Sequence, residues 1–276
     1  MPHLKANWKK GNPGTLVDDL QAEGEGLRET LRIEAWPRLS RDTNWLRPKT
    51  VCVLGGPPGR GKSLFLLEAM IRLHFDGIPW YLLPLEDTAA DVYRRVLAFL
   101  SEVWSVMDTD QRGADARMET AAPYADVMAD MQNSIYENPR LPDGPADNRV
   151  VPPLPPYEVL AWIKKACTLA RVVAVDPLAQ IDWTGAKPWE MQADFIRRVV
   201  GMAADTASTI ILIAHSAKRP GKASTITLSS EDIQGAAEFS RLAHCILLWE
   251  GHDEKANTVW RAGGEKFFLA AKRSCM

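Results

Sequence analysis

The chain has 276 residues and a mass of 30.7 kDa, enough to bury one large α/β core with a short extension. Its composition, 46% hydrophobic and 25% charged, is that of an ordinary soluble globular protein. A formal net charge of −2 argues against coating nucleic acid with the whole surface, yet leaves room for a locally basic channel, because counterion release depends only on cations that touch phosphates.

Residues 1–35 are polar and Gly-containing, with a short helix expected around Leu16–Leu31, and read as an arm or linker ahead of one domain over 36–276. No apolar N-terminal stretch resembles a signal peptide, and no segment approaches the roughly 18 apolar residues of a membrane span. Cys52, Cys167, Cys245 and Cys275 form no C-x-x-C pair, and two of them lie in apolar runs, so a reducing, cytoplasmic setting is expected. The first strong strand is Thr50–Leu54, an apolar run that stops at glycines, followed by a helix from about Gly61 to Leu73 with Leu64, Leu67, Met70 and Ile71 on its apolar face. A second strand, Trp80–Pro84, leads through Leu85-Glu86-Asp87 into a helix over about Ala89–Trp104. Residues 106–156 read as a polar, irregular insertion or mobile loop, with a helical turn or two near Tyr124–Met131. Helix Glu158–Ala170 then feeds strand Val172–Val175, and helix Trp189–Thr206 feeds strand Ile210–Ala214. Strand Cys245–Trp249 and a hairpin of Thr258–Arg261 with Lys266–Ala271 complete the chain. Strands alternating with helices imply a mostly parallel sheet flanked by helices, with an antiparallel C-terminal edge.

Gly56-Pro57-Pro58-Gly59-Arg60-Gly61-Lys62-Ser63 fits G-x-x-x-x-G-K-[S/T] between a strand and a helix, the context that motif needs. Glycines let successive backbone N–H groups turn inward around phosphate, and the helix N-terminus adds a favourable field. With Leu64 next in the chain, these residues are the expected site for ATP; Lys62 would reach the β- and γ-phosphates, and Ser63 would ligate Mg²⁺. Val172-Val173-Ala174-Val175-Asp176 is an apolar strand ending in a carboxylate, which makes Asp176 the second Mg²⁺ candidate. Glu86, just beyond the second strand, can orient and deprotonate an attacking water; a helix N-terminal acid is the bland alternative, and that capping role is assigned to Asp87. His215, at the end of its strand, is either a γ-phosphate sensor or a structural histidine. The loop Lys218–Thr225 carries three cations and is either a phosphate-backbone contact or a solvated surface loop.

Together these segments resemble the RecA-like ATPase core, most closely its hexameric helicase branch of DnaB-type and plasmid RepA-type proteins, over roughly residues 36–274. Trp80–Asp87 with Arg94-Arg95 looks like that group's strand-plus-glutamate motif, and Val175-Asp176-Pro177-Leu178-Ala179 like its Walker B segment. Ile213–Lys218 is similar to the RepA-type strand ending in His. Asp232–Ala237 looks like the Gly-small-small motif, with Gly235-Ala236-Ala237 where the Gly-Ser-Ser form has serines. The resemblance implies an oligomer, a hexamer in that branch's manner, with ATP between subunits and a neighbour's arginine finger matching Arg241, or Arg273 with Lys272. It also implies single-stranded DNA as partner, with the loops at Trp183–Trp189 and Lys218–Ser230 facing it; the expectation of no primase-binding domain ahead of the core departs from that pattern. A recombination or regulatory ATPase that does not unwind, and a small-molecule kinase on the same phosphate loop, are the other readings open to the sequence.

Overall fold

The computed structural model describes residues 30–141, 151–185, 187–216, 233, 237–249 and 271–273. A short helix α1 (Pro37–Thr43) precedes strand β1 (Thr50–Gly56), helix α2 (Lys62–Phe75), strand β2 (Trp80–Pro84) and helix α3 (Ala89–Ser101). Helices α4 (Gln111–Thr120), α5 (Ala125–Gln132) and α6 (Pro156–Cys167) lead to strand β3 (Val172–Asp176). Helix α7 (Pro188–Thr206), strand β4 (Thr209–His215), helix α8 (Ala237–Leu242) and strands β5 (Cys245–Leu248) and β6 (Ala271–Arg273) follow.

The sheet order is β2-β3-β4-β1-β5-β6, and β1 to β5 run parallel. β1 sits between β4 and β5 and is buried along its whole length, which is why Thr50-Val51-Cys52-Val53-Leu54 shows an unbroken apolar run rather than an alternation. Val51 and Val53 face one core with α6 and α7, through Ile163, Phe195 and Val199. Cys52 and Leu54 face the other with α2, through Phe65, Leu66 and Met70. A three-layer α/β/α body results. Ile33, within the segment expected as an arm, is 1% exposed and belongs to the second core. Ala271–Arg273 lies antiparallel beside β5, while the expected strand Thr258–Arg261 and helix start at Leu16 lie outside the described residues.

The structure corrects several expectations. The helix expected to reach Trp104 stops at Ser101, where Glu102 takes a left-handed conformation (φ 59°). The segment expected to be irregular holds α4 and α5, and beyond them it closes the open edge of β2. Leu82 N donates to Ser134 O (2.8 Å) and Tyr136 N donates to Leu82 O (2.9 Å). Covering an edge strand in this way blocks edge-to-edge pairing with another chain. Among the described residues no helix is long and apolar enough to cross a membrane.

Candidate nucleotide site

The chemistry-bearing residues meet at the C-terminal ends of β1 to β4, where ligands bind in open α/β sheets. Register groups the strand ends in two pairs, Gly56 with His215 and Pro84 with Asp176, and the pairing of Val175 with Leu212 carries β1 and β4 two residues further than β2 and β3. Leu85 N donates to Asp176 O (2.6 Å), and buried Asn138 donates through Nδ2 to Leu85 O (3.1 Å), which fixes the strand end that carries Glu86.

The loop between β1 and α2 needs its glycines for two separate reasons. Gly59 and Gly61 adopt φ +70° and +88°, a region open to glycine at little cost. A Cβ on Gly56 would instead stand 2.3 Å from Trp249 O, so space rather than conformation selects that residue. α2 starts directly from Gly61 with no side-chain cap, leaving its first backbone N–H groups to whatever the loop encloses.

Lys62 is 4% exposed and turns back on the loop, donating from Nζ to Gly56 O (2.9 Å) and Pro57 O (2.7 Å). Burial lowers its pKa to about 8, opposed by the carboxylates of Asp176 and Glu86. Asp176 is 9% exposed, and burial pushes its carboxyl up to about 7; a hydrogen bond with the Ser63 side chain opposes this, Asp87 and Glu86 push further up, and Arg95 pulls down. Each charge is therefore costly where it stands, and both become less so when the opposite charge arrives. The hydroxyl of Ser63 against the carboxyl of Asp176 is a hard oxygen pair of the kind Mg²⁺ takes with phosphate and water completing its shell. The loop glycines, Lys62 and that pair form a donor set suited to ATP·Mg²⁺.

Glu86 is exposed and receives a hydrogen bond from Gln180 Nε2 (3.0 Å). Its charge acts on Lys62, Asp176 and His215, which places it within the cluster. His215 is half-buried, and burial lowers its pKa, with Lys62 acting the same way and Glu86 against. Its Nδ1 is buried with no partner among the described residues.

Asp87 is not the helix cap. Thr88 caps α3, accepting from Asp91 N while Asp91 Oδ2 accepts from Thr88 N, a reciprocal capping box. Asp87 instead holds Arg95 in a two-pronged ion pair, with Nη2 to Oδ1 at 2.9 Å, beside Asp176. Arg94 is taken up by Asp91. Leu64 is half-buried in the first turn of α2, and the buried apolar positions there begin at Phe65. Arg241 is exposed on α8 and is not among the groups acting on Lys62, Asp176 or His215. The loop Lys218–Thr225 and most of Asp232–Ala236 lie outside the described residues; Ile233 bridges to Ser216 and packs over Gly55. Sequence reasoning missed Gln180, the Asp87–Arg95 pair and Trp249, whose indole Nε1 donates to Arg60 O.

A doubly flanked parallel sheet with a glycine-rich strand-to-helix loop after β1 and an acid at the end of β3, one strand removed across β4, defines a RecA-like P-loop ATPase core. Residues 30–221, more than half of the chain, match the AAA domain family, and the chain belongs to it. Two solved structures share the fold. One is an ATPase domain that superposes with a TM-score of 0.64 at 13% identity, over 95% of this chain and 94% of that one. The other, a DnaB-like replicative helicase described in its interactions with primase, gives 0.65 at 14% identity, over 92% of this chain. This chain spans 60% of that helicase's length. No curated protein sequence matches.

Proposed function

We propose that the chain binds ATP·Mg²⁺ in the β1–α2 loop and hydrolyses it as one subunit of an oligomeric motor acting on single-stranded DNA. The observation that carries the proposal is the meeting of Lys62, Ser63, Asp176 and Glu86 at the C-terminal ends of the sheet's strands, beside a loop whose glycines open its backbone to phosphate.

Backbone N–H groups from Gly59 to Leu64 take the phosphates, and the field of α2 adds to them. Lys62 leaves the carbonyls of Gly56 and Pro57 for the β- and γ-phosphates, an exchange of two neutral acceptors for charged ones. Ser63 and Asp176 would hold Mg²⁺, which when bound would supply positive charge against that developing on the phosphates. Glu86, steadied by Gln180, orients the attacking water and accepts its proton. His215, kept neutral by its surroundings at pH 7, offers its ring to the γ-phosphate region from β4. Arg241, exposed and not among the groups acting on its own chain's Lys62, Asp176 or His215, is the cation we assign to a neighbour's site, where it stabilises transition-state charge. A hexameric ring and a DNA-facing inner surface are the assembly in which that assignment operates. We place the protein in the cytoplasm, where buried free thiols such as Cys52, Cys167 and Cys245 stay reduced.

Turnover and native mass, measured with and without a single-stranded oligonucleotide, test this directly. The expected result is Mg²⁺-dependent hydrolysis, raised by DNA and abolished in Lys62→Ala, by an assembly several times the chain's mass. Hydrolysis that ignores DNA in a monomer sinks the motor; no hydrolysis by intact protein sinks the enzyme.

A further inference from the structure

Trp249, one residue beyond β5, is fastened to the phosphate loop at three points. Its backbone N donates to Gly55 O (2.7 Å), its carbonyl O fills the space a Cβ on Gly56 would need, and its indole Nε1 donates to Arg60 O (2.5 Å). The indole ring packs on Phe65 in the first turn of α2 with centroids 4.9 Å apart, and Phe65 in turn stacks on Trp36 (4.7 Å). The ring therefore cannot drift from the loop without disturbing the core beneath it.

The consequence comes from peptide geometry. Arg60–Gly61 is a trans peptide, so its C=O and N–H lie in one plane and point in opposite directions. A donor that fixes Arg60 O toward Trp249 also fixes the Gly61 N–H away from it. Gly61, at φ +88°, is the residue at which the chain turns into α2, and a peptide beside a glycine has low barriers to flipping. The indole N–H removes that freedom before any ligand arrives. We infer that Trp249 is a positioning residue of the phosphate loop: its Nε1–H locks the Arg60–Gly61 peptide in the orientation that presents the Gly61 amide to a nucleoside di- or triphosphate. The inference rests on the loop being the nucleotide site proposed above, and preorganisation is the physical gain, because a loop already set spends less binding energy on ordering itself.

Trp249→Phe keeps a ring against Phe65 and removes the one donor. Calorimetric titration of the full chain with ADP·Mg²⁺ and ATP·Mg²⁺ should show Kd rising about five- to tenfold for both, the loss expected for one hydrogen bond. The melting temperature of the nucleotide-free variant should stay within a degree or two, and kcat at saturating ATP within about twofold, since the donor acts on binding rather than on water attack. A ring that served only the core would lower melting temperature and kcat together and leave Kd in place, which overturns the inference. Wild-type protein that takes up no nucleotide overturns the proposed function itself, whereas wild-type binding matched by Trp249→Phe overturns only the role of Trp249. Should the variant not fold, the indole proton of wild-type Trp249, recognised by its contacts with Phe65, decides the matter. Its solvent exchange must slow when ADP binds, and an unchanged rate rejects the lock.

Discussion

Asp176 and Lys62 are buried titratable groups at the proposed nucleotide site, and their titration makes the proposal measurable. The Asp176 carboxyl, ordinarily at 3.8, stands at about 7 in the folded chain. The folded state thus holds a proton that the unfolded chain releases, so this group's favourable contribution is full below about pH 4 and is lost as pH rises toward 7. Three pKa units correspond to a loss on the order of 4 kcal/mol. Urea unfolding of the nucleotide-free chain between pH 5 and 7.5 should therefore show a decline that Asp176→Asn largely abolishes. A metal ion needs the ionised carboxylate, so ATP·Mg²⁺ binding at pH 6 should expel about one proton in the wild type and none through this group in Asp176→Asn. Calorimetry in buffers of different ionisation enthalpy counts that proton, and equal counts in the two proteins would remove Asp176 from the metal. Glu86→Gln is expected to keep ATP affinity within a few-fold while turnover falls about 10²–10⁴-fold, the range typical of a lost general base; a turnover loss under tenfold would reassign Glu86 to its helix. Residues that act through local backbone pattern, Gly56 to Ser63 above all, were legible in the sequence because strand, loop and helix adjoin in the chain. Gln180 and Trp249 were not, since they reach Glu86 and Arg60 across 94 and 189 positions.

Elements follow the same division. β1, β3 and β4 are buried on both faces and flanked by parallel neighbours, so their apolar runs announced them within a residue or two. The strand-end acid Asp176 was readable for the same reason. α4 is capped by Asp110, whose side chain accepts from Gly113 N, and buries little besides Gly113; so short an apolar face leaves no periodicity to register. The cap of α3 was misassigned because Asp87 and Thr88 are both good capping residues by type, and only the reciprocal partner three positions on, Asp91, distinguishes them. That distinction predicts separate phenotypes. Thr88→Ala should cost about 1 kcal/mol in denaturant unfolding and leave turnover nearly intact, as a lost N-cap does. Asp87→Asn should instead disturb the site, because Asp87 holds Arg95 beside Asp176; a variant with unchanged metal dependence would reduce the pair to a surface contact.

At the scale of the whole molecule, the proposed shared site asks for one more cation than the described residues of this chain bring to it. Among the described residues, Lys62 and Arg95 are the cations acting at the cluster, and Arg95 is bound to Asp87. Charge on a departing γ-phosphoryl group needs a further positive group poised in place, worth about 10³–10⁵-fold where a partner supplies it. Arg241 stands exposed on α8, available to a second copy. This predicts a result that no single-chain enzyme gives. Arg241→Ala retains its phosphate loop but lacks a finger to lend; Lys62→Ala lacks the loop's ammonium but retains the finger. Each alone should be nearly inactive. Mixed under assembly conditions, an Arg241→Ala subunit facing a Lys62→Ala neighbour has one complete site, so turnover should reappear, reach its highest near equal proportions and vanish at either extreme. Activity that stays flat across all mixing ratios, with co-assembly verified by native mass, would show that Arg241 serves no neighbouring site, and Arg273, at the strand beside β5, would be the next cation to exchange.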